Sequence, residues 1–144
     1  MAQISMATCS MSDNWGFNSA GQSPCEIGSA LGGVCTGGSF ILPELPPNNQ
    51  YQGPNSTVQN SCRCSSVYYS LLSACAYCQG RNYIRWSSYK ANCDVVYEGS
   101  FPQPIPIGLV VPGWAYQDVK TRDTFNASLV TSIGQGDHLI YANM

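Results

Sequence analysis

At 144 residues the chain is the length of one domain, and a chain of this size buries roughly two thirds of the surface its unfolded form exposes, so a core is attainable without a second domain. Charged side chains make up only 10% of it, against a usual share of about a quarter, and Gly, Pro, Ser, Asn, Gln and Tyr fill the polar positions. Six basic against eight acidic residues leave a net charge of -2, too small and of the wrong sign to release counterions from a nucleic acid backbone, which excludes nucleic acid as a partner.

Residues 1–10, MAQISMATCS, have neither the basic start nor the apolar run of a signal peptide, so either a leader has been removed or the mature chain begins here. Ser23 followed by Pro24 is a helix start, a capping hydroxyl before a proline whose missing N–H is of no consequence at that position, and Gly32-Gly33 or Gly37-Gly38 supplies the stop. A short helix near residues 24–34 is expected. Over 38–60, Pro43, Pro46, Pro47, Gly53 and Pro54 allow no helix, and the segment reads as a loop with one short strand at Phe40 to Leu42.

From Ser65 to Gln79 the run SSVYYSLLSACAYCQ places Val67, Leu71, Cys75 and Cys78 on one helical face, and Gly80 closes it. A second run from Tyr83 to Cys93 spaces Trp86, Tyr89 and Cys93 three and four residues apart, so the two segments read as a helical hairpin with sulfur on both buried faces. Beyond Cys93, Pro102, Pro104, Pro106 and Pro112 forbid helix and impose extended geometry, a strap across the helices that Trp114, Tyr116 and Phe125 pin to the core. Residues 1–8 and 129–144 read as loosely attached tails of a single domain spanning 1–144. No stretch approaches the roughly 18 apolar residues of a membrane span.

Cys9, Cys25, Cys35, Cys62, Cys64, Cys75, Cys78 and Cys93 are an even number in a small chain, the pattern of an oxidised framework of four bridges. Cys62 and Cys64, one residue apart in an extended lead-in, are not expected to pair with each other, and Cys75 and Cys78 on adjacent turns reach different partners; spacing decides no more than that. Two N-glycosylation sequons, Asn55-Ser56-Thr57 and Asn126-Ala127-Ser128, point to the same extracellular compartment. A zinc site from Cys62, Cys64, Cys75 and Cys78 is the competing reading, and it is the weaker because bridged sulfur ligates no metal. Cys75-Ala76-Tyr77-Cys78 as a redox pair is weaker too, since the C-terminal end of a helix disfavours a thiolate. No metal or cofactor is expected.

For catalysis the chain offers one histidine, His138 beside Asp137, whose plain reading is a solvated side chain. Asp94 with Glu98 and Asp118 with Asp123 are carboxylate pairs without the arrangement of a glycosidase acid and nucleophile, and no nucleophile elbow, phosphate-binding glycine loop or histidine metal motif occurs. The aromatic residues are the remaining candidates, Trp15, Tyr51, Trp114 and Tyr116 above all, with Phe17, Tyr68 and Tyr69 beside them. Flat rings amid Asn, Gln and Ser suit sugar faces or a protein surface, whereas the plainer reading makes them the filling of a core short of Ile and Leu.

The stretches NWGFNSAGQSPC, GVCTGG, NSCRCSSVYYSLLSACAYCQ, the Trp86 to Cys93 segment and FPQPIPIGLVVPGWAYQDV through DTFNAS, in that order over residues 9–128, resemble the cysteine-rich ectodomains of uncharacterised single-pass membrane proteins of mushroom-forming fungi. The resemblance implies a domain followed by a Ser/Thr-rich stalk, one membrane helix and a cytoplasmic tail; this sequence ends at Met144 with neither stalk nor span, as a trimmed ectodomain or a freely secreted relative would. It implies no catalytic or binding residues. Fungal hydrophobins and haem-binding fungal surface domains do not fit, because no two cysteines are adjacent and the spacings differ from those of the haem binders.

The expected architecture is a small disulfide-rich, mainly α domain, two or three short helices wrapped by proline-rich straps and stapled by four disulfides. The expected role is that of a non-enzymatic extracellular module of a cell surface or wall, recognising glycan or protein or assembling with copies of itself, since a weakly charged surface offers little repulsion between copies. A small secreted hydrolase using a carboxylate or His138, and a structural spacer, are the alternatives.

Overall fold

The computed structural model describes residues 6–11, 13–38 and 40–132. Its helices are α1 (Pro24–Val34), α2 (Ser66–Cys78), α3 (Trp86–Tyr89) and α4 (Ser128–Ser132), with a 3-10 turn at Gly113–Tyr116. Local chemistry accounts for the two long ones. Ser23 caps α1 by accepting from the Glu26 N–H at 3.1 Å, while the Glu26 carboxylate accepts from the Ser23 N–H at 2.9 Å, a reciprocal capping box with Pro24 in the first turn. Ser65 caps α2 by accepting from the Tyr68 N–H at 3.2 Å and donates to the Cys62 carbonyl at 2.8 Å. Gly80, at φ 77°, ends α2 by letting the Arg81 N–H turn back to the Ala76 carbonyl at 2.9 Å.

Every residue of α2 except Tyr77 is buried, so the helix runs through the middle of the molecule instead of along its side. Its main partner is α1. Gly28 faces both α2 and the loop after α1: a Cβ there would be in ordinary contact with Leu71 Cβ at 3.6 Å but only 2.9 Å from Leu42 Cδ1, so it is the loop that needs the glycine. Against the α1–α2 pair stands a core of rings: Tyr69 packs against Trp86 and Tyr89, each at 5.2 Å between centroids, and Trp114 meets Phe125 edge-on at 6.0 Å.

The four disulfides are Cys9–Cys78, Cys25–Cys75, Cys35–Cys62 and Cys64–Cys93. Each has one end on α2 or on the turn leading into it, so α2 is the post to which the N-terminal segment, α1, the loop after α1 and the loop after α3 are all tied. As their positions require, Cys62 and Cys64 take different partners, and so do Cys75 and Cys78.

Four expectations change. The helix expected over Tyr83 to Cys93 is the single turn α3, because Arg85 provides no side-chain cap and Cys93 is drawn off the helix to Cys64; the hairpin of α2 with that segment gives way to the α1–α2 pair. The strand at Phe40 to Leu42 is absent, replaced by an isolated bridge between Met6 and Pro43 with the Ala7 N–H donating to the Leu42 carbonyl at 3.0 Å. The strap does carry helical geometry, for Pro112 caps the 3-10 turn that buries Trp114. Finally, the inner ends of both expected tails are packed: Ala7 is 1% exposed and Val130, on α4, is fully buried. Among the described residues no helix is long and apolar enough to cross a membrane.

Candidate functional site

The structure separates the four aromatic candidates. Trp114 is fully buried in the core and drops out as a binding residue, its burial following from the 3-10 turn packed on α2. Trp15 is half-buried and lies against Tyr77 at 4.9 Å between centroids; Tyr77 is exposed, and Tyr83 follows at 6.4 Å. The N–H of the exposed Met11 donates to the carbonyl of Cys78, the residue after Tyr77, and the Cys9–Cys78 bridge clamps the segment to the end of α2. These residues form a ring-lined patch on a rigid support. Tyr77 and Tyr83 were not among the sequence candidates, although the apolar stripe of Val67, Leu71, Cys75 and Cys78 places position 77 on the other side of the helix.

Tyr51 stands at a cleft of about 260 Å³ whose walls include Phe40, Leu42, Val58, Arg63 and Tyr68. Its hydroxyl donates to the Pro43 carbonyl at 2.6 Å and accepts from Gln79 Nε2 at 3.0 Å, so the phenol braces the loop while the ring lines the opening. Burial pushes the Tyr51 and Tyr68 hydroxyls above the usual tyrosine range, which keeps both neutral hydrogen-bonding groups at ordinary pH. Tyr116 sits half-buried at a second cleft of about 250 Å³ with Glu98, Asp118 and Lys120 on its rim, and burial raises its hydroxyl too.

The carboxylates are arranged for structure. Asp118 is lowered by the hydroxyl and N–H of Thr121 and by the Lys120 N–H, and Asp123 is lowered by the hydroxyl and N–H of Ser87. A general acid needs a carboxyl held up into the neutral range, and these two are held down. Glu98 accepts from Trp86 Nε1 at 2.8 Å, and Asp94 accepts from Gln59 Nε2 at 2.9 Å. His138 and Asp137 lie outside the described residues. The sulfurs of Cys9, Cys25 and Cys78 lie within 4.8 Å of one another, but all three belong to disulfides and none is a ligand; the four cysteines of the zinc reading are likewise bridged.

Of the two sequons, Asn55 is exposed and its Oδ1 accepts from the N–H groups of Thr57 and Val58 at 2.9 and 3.0 Å. Asn126 is half-buried, with its Oδ1 accepting from the Ser128 N–H at 2.9 Å and its backbone paired to Gln117. No protein-family model, no curated protein and no solved structure matches this chain.

Proposed function

We propose that the chain is a non-enzymatic extracellular module that recognises glycan or protein at a cell surface or wall, in keeping with its resemblance to the fungal ectodomains, and that it carries N-glycans at Asn55 and Asn126. One observation carries the reading: Trp15, Tyr77 and Tyr83 form a patch of partly exposed rings on a support that a disulfide keeps from yielding. Rings held in place give contact area at small entropic cost, and the weakly charged surface around them leaves hydrogen bonding and stacking as the means of recognition. Four disulfides in a chain of 15.5 kDa fit an oxidising environment.

Self-assembly is the second reading, favoured by Ile107, whose side chain stands wholly free at the tip of the proline strap, and by Val95 at 59% exposure. Size-exclusion chromatography with light scattering on the non-reduced protein, alone and with solubilised wall glycans, separates the two. A monomer that shifts with glycan, and a Trp15→Ala,Tyr77→Ala variant that folds but no longer shifts, is the expected result. A large species without ligand, dispersed by Ile107→Ser, replaces glycan recognition with assembly; a monomer that ignores both glycans and surface proteins leaves the spacer.

A further inference from the structure

Arg63 is held unusually firmly for a residue on a turn. Its neighbours Cys62 and Cys64 are both bridged, its N–H donates to Asn60 Oδ1 at 2.8 Å, and its carbonyl accepts from the Tyr89 hydroxyl at 2.7 Å. The guanidinium lies over the Phe40 ring, 5.3 Å from its centroid, and makes no hydrogen bond or ion pair with any described residue. A cation resting on a ring face keeps its in-plane N–H donors available, and an Arg fork matches the two oxygens of a carboxylate.

Tyr68 supplies a second unanswered donor. Its side chain is only 2% exposed, and its hydroxyl has no partner among the described residues. The residue lines the same cleft as Arg63 and Phe40. Gly32 brings the parts together: a Cβ there would lie 2.6 Å from the Phe40 ring and 3.0 Å from Tyr68 Oη, so only a glycine on α1 leaves room for both. Among the described residues no acidic side chain lines the cleft, and Arg63 is the one ionised group that does.

We infer that the cleft between Phe40, Tyr51 and Tyr68 binds a small organic carboxylate, with Arg63 and the Tyr68 hydroxyl as donors to its oxygens and the aromatic wall against its body. One guanidinium balances one negative charge, which favours a carboxylate over a phosphate dianion. A volume of about 260 Å³ lies just below the range of pockets for drug-sized ligands and suits a body of one ring. The inference stands on this cleft and does not depend on the Trp15 patch.

The test is NMR titration of the full, non-reduced protein with methyl glucuronide and with benzoate, which separate a sugar body from a flat apolar one, and with methyl glucoside as the uncharged counterpart. Saturable shifts at Phe40, Val58 and Arg63 are expected with at least one carboxylate, weakened by added salt. Arg63→Gln weakens the binding by about tenfold or more, as for a lost charge-assisted hydrogen bond, and Tyr68→Phe by a smaller factor with the ring wall kept. Absence of saturable shifts with both carboxylates, equal binding of methyl glucoside, or an Arg63→Gln variant that binds as tightly as the natural chain overturns the inference. Where Arg63→Gln does not fold, shifts of the natural chain that map away from the cleft or ignore salt overturn it equally.

Discussion

Chemically similar side chains have opposite fates in this molecule. Trp114 is fully buried while Trp15 reaches solvent, and both were equally plausible binding residues by type. Small residues show the tightness of the packing more directly than large ones. A Cβ on Gly53 would fall 1.8 Å from the Tyr89 carbonyl oxygen, a contact with backbone that no rotamer change relieves. Gly53→Ala is therefore expected to destabilise the fold by about 3 kcal/mol or more, the upper range for overpacking. Ser70 makes the opposite case, since its hydroxyl is buried without a partner, so Ser70→Ala removes an unmet hydrogen-bonding group. It should be neutral or stabilising by up to about 1 kcal/mol. Urea unfolding of both variants checks the pair, and a costly Ser70→Ala would mean that the hydroxyl is satisfied.

Among the elements, α1 and α2 form where their own residues cap and close them, whereas α3 depends on a residue far along the chain. Asp123 stands in for the missing cap: its carbonyl accepts from the Trp86 N–H at 3.1 Å and its carboxylate from the Ser87 N–H at 2.7 Å. Because Ser87 holds the Asp123 carboxyl below its ordinary value, the folded state gains from the ionised form. That gain is complete above the unfolded value of about 4 and disappears as pH falls through the lower folded value. The difference in Tm between the natural chain and Asp123→Asn should accordingly stay constant from about pH 7 to about pH 5 and shrink below about pH 4. A difference that persists unchanged into acid would remove the carboxylate from the account of α3. The stripe of Trp86 and Tyr89 was legible in the sequence and both are buried, but the length of the helix was not, because Cys93 answers to Cys64 and not to the helical period.

On the scale of the whole molecule, the bridges replace much of what a larger aliphatic core would provide. Cys25–Cys75 closes a loop of sequence separation 50, and the chain-entropy estimate for a loop of that length is about 4 kcal/mol. Both of its cysteines are fully buried, whereas Cys9, Cys35 and Cys93 in the other three bridges are half-buried. Graded reduction followed by alkylation and mass spectrometry should find Cys25–Cys75 the last bridge to open. A Cys25→Ala,Cys75→Ala variant should lose about 4 kcal/mol, or fail to fold at physiological temperature. Early loss of this bridge with the others intact would show that α1 separates from α2 more readily than the packing of the two helices implies.

Sequence alone determined what is local or countable: an even set of cysteines in a weakly charged chain, the capped start of α1 at Ser23 and Pro24, and the span of α2 between Ser65 and Gly80. These hold because caps, glycine stops and helical stripes act within a few residues of one another. Tertiary structure decided which cysteines pair across separations of 27 to 69 residues, since bridging depends on distance in space. It also decided which rings fill the core and which face solvent. It set Arg63 over Phe40 beside Tyr68, three residues whose meeting rests on the approach of α1 to α2 and leaves no trace in their spacing along the chain.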